Sequence, residues 1–96
     1  MKVINLGEQN SVLNQFVSEI RDVNIQKDSL RFRRNLERIG EIFAYEISKT
    51  LNYVPSEVET PLGIANIQLC NQTIVLGTIL RAGLPLHQGL LNYFDC

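Results

Sequence analysis

The stretch from Thr73 to Gly89 reads TIVLGTILRAGLPLHQG, and it decides the fold class. Ile74 to Leu80 is an almost continuous apolar run rich in strand-forming residues. Such a run is typical of a central strand of a parallel sheet, covered by helices on both faces. Residues 85–94 can then form a helix, with Leu86 and Leu90 on one stripe and a proline near its start, where no N–H is needed. The stretch predicts an α/β protein.

The loop between this strand and this helix contains Arg81, Ala82 and Gly83. In open α/β sheets, ligands bind beyond the carboxyl ends of the strands, where the following helix presents free backbone N–H groups to an anion. Arg81 can donate charge-assisted hydrogen bonds to phosphate oxygens. Gly83 lets the backbone approach closely and can adopt a positive φ. Spacing alone leaves two interpretations open: an anion-binding loop, or an ordinary turn with a solvated arginine.

Two amphipathic helices are predicted before this stretch. The first covers Ser11 to Arg21, with Asn10 or Ser11 as its N-cap. The second begins near Asp28 or Ser29 and runs to about Leu51, because its apolar residues recur at spacings of three and four.

A small hairpin is predicted to follow a connector at residues 52–56. It lies within Val58 to Leu69 and turns at the Thr60-Pro61-Leu62-Gly63 segment, where proline and glycine favour a turn. The predicted organisation is one partial domain, with helices in residues 1–54, the hairpin in residues 55–70, and the strand, loop and helix in residues 71–96.

Composition excludes several classes of protein. Nine Lys and Arg residues against ten Asp and Glu give a net charge of −1, which argues against a protein whose whole surface binds nucleic acid or anionic membranes. Any basic site must therefore be local. Apolar runs fall far short of about 18 residues, so no membrane span is predicted. Two cysteines, Cys70 and Cys96, and a start without an apolar signal region predict a cytoplasmic protein. These cysteines and His87 lack zinc-site spacing, so no metal site is expected.

Basic residues cluster in the second helix at Arg31, Arg33, Arg34 and Arg38. The cluster could bind RNA or an anionic effector. The acidic residues at helical spacing, with Glu37 facing Arg33 or Arg34, favour a solvated and partly paired helix face instead.

Other conspicuous residues are predicted to be structural. His87 lies near the loop but has no carboxylate or nucleophile partner in the sequence pattern, so a structural or surface role is favoured over catalysis. Glu57 and Glu59 share one side of a strand and should face solvent. Cys70 has no basic neighbour and is assigned no nucleophilic role. Three aromatic residues are interpreted as core or subunit-contact residues, not as base-stacking platforms: Phe43, Tyr45 and Phe94.

Several segments resemble the uracil phosphoribosyltransferase family. TILRAGLPLHQGLLNYF (78–94) closely resembles that family's strand, Arg-Ala-Gly loop and helix, and RFRRNLERIGEIFAYEIS (31–48) resembles its N-terminal helix. NLGEQNSVLN (5–14) and VETPLG (58–63) add to the similarity, which covers essentially the whole chain.

The resemblance implies a type I phosphoribosyltransferase fold and a role in pyrimidine salvage. Members transfer ribose 5-phosphate from 5-phosphoribosyl 1-diphosphate to uracil, making UMP and pyrophosphate, and magnesium accompanies the donor. By this resemblance Arg81, Ala82 and Gly83 bind the donor diphosphate, Arg81 acts as an electrostatic catalyst on the leaving pyrophosphate, and the protein is a homo-oligomer.

The sequence lacks segments that members of the family contain. Family members are much longer, and their Asp-Pro-Met-Leu-Ala-Thr-Gly type segment, which binds ribose 5-phosphate, has no counterpart here. The aspartates present are Asp22, Asp28 and Asp95, and none precedes a glycine-rich loop. We therefore expect an N-terminal portion of such an enzyme, inactive alone and prone to associate. The alternative is a non-enzymatic interaction fragment that docks on a full-length relative through its N-terminal helices.

Overall fold

A computed structural model describes residues 3–81 and 83–94 of the chain. Its elements are a 3-10 helix at Leu6–Glu8, α1 at Val12–Arg21, α2 at Ser29–Ser48, β1 at Tyr53–Thr60, β2 at Gly63–Cys70 and α3 at Leu84–Leu91. The described part is thus α/β, with three helices and one antiparallel hairpin, and the predicted fold class is confirmed.

Side-chain caps start the two N-terminal helices where the sequence places them. The Ser11 hydroxyl accepts a hydrogen bond from the Leu13 backbone N–H at 3.2 Å, and the Asp28 carboxylate accepts one from Arg31 N–H at 3.1 Å. Each cap satisfies one of the backbone donors that a first helical turn leaves without a partner. The second helix ends before the predicted Leu51, because its final residues tighten into i→i+3 hydrogen bonds.

The apolar faces of the helices meet in a small core. Leu13 of α1, Ile39 and Ala44 of α2, and Phe94 just after α3 are the buried apolar residues of the described chain. Phe94 is thereby a core residue, whereas Tyr45, placed in the same group by the sequence, is 57% exposed. A core of this size gives the helical unit limited stability.

A polar network joins α1 to α2 beside this core. Asn35 is completely buried, and its side-chain amide donates to Glu19 Oε2 at 3.4 Å while its Oδ1 accepts from Arg38 Nη1 at 3.1 Å. Glu19 also pairs with Arg31 at 3.1 Å. Because buried polar groups are tolerated only when hydrogen-bonded, this asparagine fixes how the two helices meet.

Replacing Asn35 with alanine is expected to lower the free energy of unfolding by about 1–3 kcal/mol, because Glu19 and Arg38 lose a buried partner. Urea denaturation followed by circular dichroism measures the change. The matched control is Asn14→Ala on the exposed surface of α1, which should stay within about 0.5 kcal/mol. Equal effects of the two substitutions would show that the network adds nothing to stability.

The α2 and α3 backbones are in contact where two buried glycines face each other. A Cβ atom on Gly40 would collide with the Leu86 carbonyl oxygen and lie 3.2 Å from the Cα of Gly89. A Cβ atom on Gly89 would collide with the Glu37 carbonyl oxygen and lie 2.9 Å from the Glu41 nitrogen. Since all of these neighbours are backbone atoms, no rotamer change relieves the clash.

The hairpin forms as predicted, with a longer first strand. Its register runs from Tyr53 opposite Cys70 to Thr60 opposite Gly63, and Gly63 adopts a φ of 128°, a left-handed conformation that favours glycine. The connector predicted at residues 52–56 is wrong, because ladder pairing extends to the base of β1. There the Tyr53 hydroxyl donates to the Ser48 carbonyl at 2.6 Å.

One face of the hairpin is apolar and uncovered. Residues directly opposite each other share a face, so the register divides the hairpin into a polar face, with Glu57 and Gln68, and an apolar one. We call the latter the apolar hairpin face; besides Ser56 and Thr60 it carries Val54, Val58, Ala65, Ile67 and Leu69. All five are exposed, because none of the described helices covers this face of the hairpin.

Residues 74–80 do not form the predicted strand. No segment of the described chain pairs with them, and Val75, Ile79 and Leu80 are 88%, 87% and 69% exposed. The physical reason is that a parallel strand needs hydrogen-bonded neighbours, and the described residues supply none.

The chain exposes more surface than its length predicts. Its accessible surface is 7744 Å², against about 5,600 Å² for a compact monomer of the same mass. Its radius of gyration is 16.8 Å, against about 12.5 Å expected for a compact domain of this length. The hairpin and residues 71–80 account for much of the difference, since they are exposed along most of their length.

Candidate functional site

The candidate site is the turn that leads into α3, here called the Arg81 loop (residues 78–84). The Gly83 N–H donates to the Ile79 carbonyl at 3.2 Å, and the Leu84 N–H donates to the Arg81 carbonyl at 3.2 Å. The His87 N–H donates to the Gly83 carbonyl at 2.9 Å as the helix begins. These hydrogen bonds turn the chain sharply just before the helix and place Arg81 on the turn.

The Arg81 side chain is exposed. Within residues 3–81 and 83–94 its guanidinium makes no hydrogen bond and no ion pair. An arginine with no carboxylate beside it retains its donors for an incoming anion, and a planar guanidinium suits the paired oxygens of phosphate. Ala82, predicted to contribute loop backbone, lies outside the described residues.

Gly83 is needed for space, not for an unusual backbone conformation. Its φ of −76° and ψ of −10° are ordinary right-handed values, so Gly83 does not use the positive φ that glycine permits. A Cβ atom there would collide with the Thr78 hydroxyl and lie 2.8 Å from the Ile79 carbonyl oxygen. The missing side chain thus lets the loop pack against itself, and the close approach of this backbone to an anion stays a prediction.

The basic cluster of α2 is mostly paired. Arg31 pairs with Glu19 at 3.1 Å and Arg34 with Glu37 at 2.6 Å. Arg38 donates to Asn35 and lies over the Phe16 ring at 5.2 Å from its centroid. The possible Arg33–Glu37 pair is not formed, because Glu37 reaches the arginine three residues before it. These contacts agree with a solvated, partly paired helix face.

His87 lines an open cleft between the starts of α2 and α3, together with Arg33 and Arg34. Its ring is partly buried, and its imidazole bonds to no residue in the described chain. Glu37 lines the same cleft, but within residues 3–81 and 83–94 no carboxylate hydrogen-bonds to the imidazole to orient it as a general base. The surroundings of His87 agree with the structural or surface role that the sequence favours for it.

The remaining residues singled out by the sequence lie away from the Arg81 loop. Glu57 and Glu59 are exposed on the polar face of the hairpin, as predicted for solvent-facing alternation. Cys70 is an exposed free thiol at the end of β2. Asp95 and Cys96 lie outside the described residues.

The described ranges contain no group of three or more His, Cys, Asp or Glu side chains that could hold a metal ion. None of the helices in the same ranges is long and apolar enough to cross a bilayer.

Three features that hold the helices together were not predicted from the sequence. They are the buried Asn35, the close contact of Gly40 with Gly89, and the hydrogen bond from Asn92 to Glu41 at 2.9 Å. A glycine inside a helical pattern costs about 1 kcal/mol relative to alanine, so its presence there is itself a signal of close packing. That signal was available at Gly40. The buried asparagine has no comparable pattern, because its partner Glu19 comes from another helix.

In sequence, this chain is similar to uracil phosphoribosyltransferases. The family model "Uracil phosphoribosyltransferase" matches residues 7–95. The chain is 59% identical over 95 residues to a uracil phosphoribosyltransferase of Porphyromonas gingivalis, covering 99% of this chain and 44% of that protein. A relative of the same name from Sulfolobus acidocaldarius is 41% identical over 84 residues, covering 84% of this chain and 38% of the relative.

A solved structure, that of the AQ2163 protein from Aquifex aeolicus, superposes with a TM-score of 0.73 at 27% identity. It covers 88% of this chain and 40% of the other. Together with the family match, this likeness is consistent with a fragment of a phosphoribosyltransferase fold. The chain belongs to the uracil phosphoribosyltransferase family, and it spans less than half the length of the relatives it matches.

Proposed function

We propose that this chain carries the donor-diphosphate part of the site of a uracil phosphoribosyltransferase, which makes UMP and pyrophosphate from uracil and 5-phosphoribosyl 1-diphosphate in pyrimidine salvage. The observation that carries the proposal is an exposed arginine, without an acidic partner in the described chain, on the turn before α3. The family match across residues 7–95 supports it, since it includes this loop.

The reaction balances without a redox partner. The bond between the anomeric carbon and the diphosphate oxygen breaks, and its electron pair leaves with pyrophosphate. The uracil N1 lone pair forms the new bond to that carbon, and the N1 proton passes to solvent or to a base outside the described residues. Negative charge therefore gathers on the diphosphate as the reaction proceeds.

Arg81 acts on that charge. A guanidinium held beside the diphosphate stabilises the transition state more than the ground state, because the leaving group becomes more negative. Arg81 is consequently an electrostatic catalyst and moves no proton. Ala82 and Gly83 supply loop backbone to the same diphosphate. By the family resemblance magnesium would accompany the diphosphate donor and offset part of its charge, and none of the described residues is assigned to hold it.

The chain alone is proposed to be inactive and to work only in a larger assembly. Its relatives are more than twice as long as the segment it matches, and the uncovered hairpin and residues 71–80 offer surface for further protein. A homo-oligomer in the cytoplasm is the setting we propose. Two cysteines, with Cys70 free, accord with a reducing compartment.

The test is a chimera in which this chain replaces the aligned 95 residues of the Porphyromonas gingivalis relative, called the chimera below. We expect uracil-dependent release of pyrophosphate from 5-phosphoribosyl 1-diphosphate in the presence of magnesium. A folded chimera that releases none would overturn the proposal.

The second candidate is an interaction fragment that docks on a full-length relative. The observation in its favour is apolar surface on α2, where Leu30, Phe43 and Ile47 are exposed. Affinity capture with the Porphyromonas gingivalis relative tests it. Retention of this chain, lost when charged residues replace these three, supports docking through α2, and failure to co-purify removes the candidate.

Self-association of the isolated chain is expected to depend on the apolar hairpin face. Replacing Ile67 with lysine places a charge at the centre of that face and should shift sedimentation towards the monomer. The matched control is Gln68→Lys, the neighbouring residue on the polar face, which should leave the distribution unchanged. A wild-type chain that sediments as a compact monomer would contradict this expectation.

A further inference from the structure

Among the contacts between α3 and α2, two restrict how the helices can move against each other. The first is the backbone contact between Gly40 and Gly89, where a single added Cβ atom on either residue would collide with a carbonyl oxygen of the other helix. The second is the hydrogen bond from the Asn92 amide to Glu41 Oε1 at 2.9 Å. Close backbone packing leaves α3 little freedom to slide or rotate on α2, because interiors transmit small displacements.

The Arg81 loop is in turn attached to α3. The Leu84 N–H donates to the Arg81 carbonyl, and the His87 N–H donates to the Gly83 carbonyl. On its N-terminal side the loop is preceded by residues 71–77, and neither these residues nor residues 78–80 pair with a strand of the described chain. Within the described residues, the location of Arg81 relative to α2 is therefore set through α3.

We propose that Gly40 and Gly89 are positioning residues for Arg81: their backbone contact fixes where α3 begins, and thereby where the guanidinium meets the donor diphosphate. This inference rests on the proposed function, since it concerns the same loop. An alanine at position 40 would push on the Leu86 carbonyl, in the first half of α3 and close to the loop. A displacement of about 1 Å at a reacting group can lower a rate by up to about 100-fold, so a small shift of α3 matters.

The experiment is nuclear magnetic resonance of the ¹⁵N-labelled 96-residue chain titrated with pyrophosphate, followed at the Gly83 and Leu84 amides. We expect Gly40→Ala to shift both amide resonances before any ligand is added and to weaken pyrophosphate binding by about 10- to 100-fold. The control is Ile39→Val, which removes one buried methyl group from the adjacent residue and adds no atom at the crossing. It should leave both amide resonances and the affinity unchanged, although it also weakens the core.

A second variant covers the case in which Gly40→Ala does not fold. Asn92→Ala removes the hydrogen bond to Glu41 without adding volume, and we expect it to shift the same amides in the same direction by a smaller amount. A folded variant that leaves the Gly83 and Leu84 resonances at their wild-type positions overturns the inference.

The proposed function has a separate outcome in the same experiment. If pyrophosphate binding is absent, or is unchanged in Arg81→Ala, the donor role of Arg81 is wrong. The Gly83 and Leu84 amide resonances of the ligand-free variants then still test whether the Gly40–Gly89 contact sets the position of the loop. If Arg81→Ala abolishes binding while folded Gly40→Ala retains it in full, the donor role stands and the positioning role is wrong.

Discussion

Arg81→Ala in the chimera is expected to lower turnover by about 10²- to 10³-fold, with weaker use of 5-phosphoribosyl 1-diphosphate and little change in the KM for uracil. The physical reason is that the guanidinium is placed to meet charge that grows on the leaving pyrophosphate, so its removal affects the transition state more than the bound substrates. Steady-state kinetics with each substrate varied in turn give the separate constants.

Two matched substitutions sharpen this prediction. Arg81→Lys keeps the charge but loses the planar fork, so it should recover only part of the lost turnover. Arg21→Ala removes an arginine at the end of α1, in the last turn and away from the Arg81 loop, and should leave the kinetics unchanged. Unaltered kinetics in Arg81→Ala would remove the residue from the donor site.

Gly89→Ala is expected to destabilise the helical unit by about 3 kcal/mol, a large fraction of the stability available to a core of this size. The added methyl group would overlap the Glu37 carbonyl and crowd the Glu41 nitrogen, both of which are backbone atoms of α2. Urea denaturation of the isolated chain followed by helical circular dichroism measures the loss.

The control for this substitution is the same change at a glycine with free space around it. A Cβ atom on Gly77 meets nothing within 4 Å, so Gly77→Ala in the isolated chain should change stability by no more than about 0.5 kcal/mol. If Gly89→Ala is equally harmless, α2 and α3 do not pack as closely as described.

Local signals in the sequence were sufficient for the helices and the hairpin. Ser11 and Asp28 act as caps through their own side chains, and the turn before Gly63 depends on its own residue types. Such features involve residues close in sequence, so pattern and propensity predict them well. The same is true of Arg81 as a loop residue.

Features that depend on distant partners were not predictable in this way. Ile74 to Leu80 has the composition of a buried strand, yet it remains unpaired because a parallel strand is made by its neighbours. The contact between Gly40 and Gly89 and the burial of Asn35 arise only when helices pack. For Gly83 the residue type was informative, but the reason was crowding by Thr78 and not a left-handed backbone.

Pyrophosphate release, measured for the purified 96-residue chain and for the chimera side by side, tests the central claim most directly. Both receive uracil, 5-phosphoribosyl 1-diphosphate and magnesium, with Arg81→Ala versions of each as controls. We predict uracil-dependent release by the chimera, its loss in the Arg81→Ala chimera, and no release by the chain alone. Release by the chain alone that depends on Arg81 would contradict the claim that it carries only part of the site, and release by the chimera that is indifferent to Arg81 would contradict the role given to that arginine.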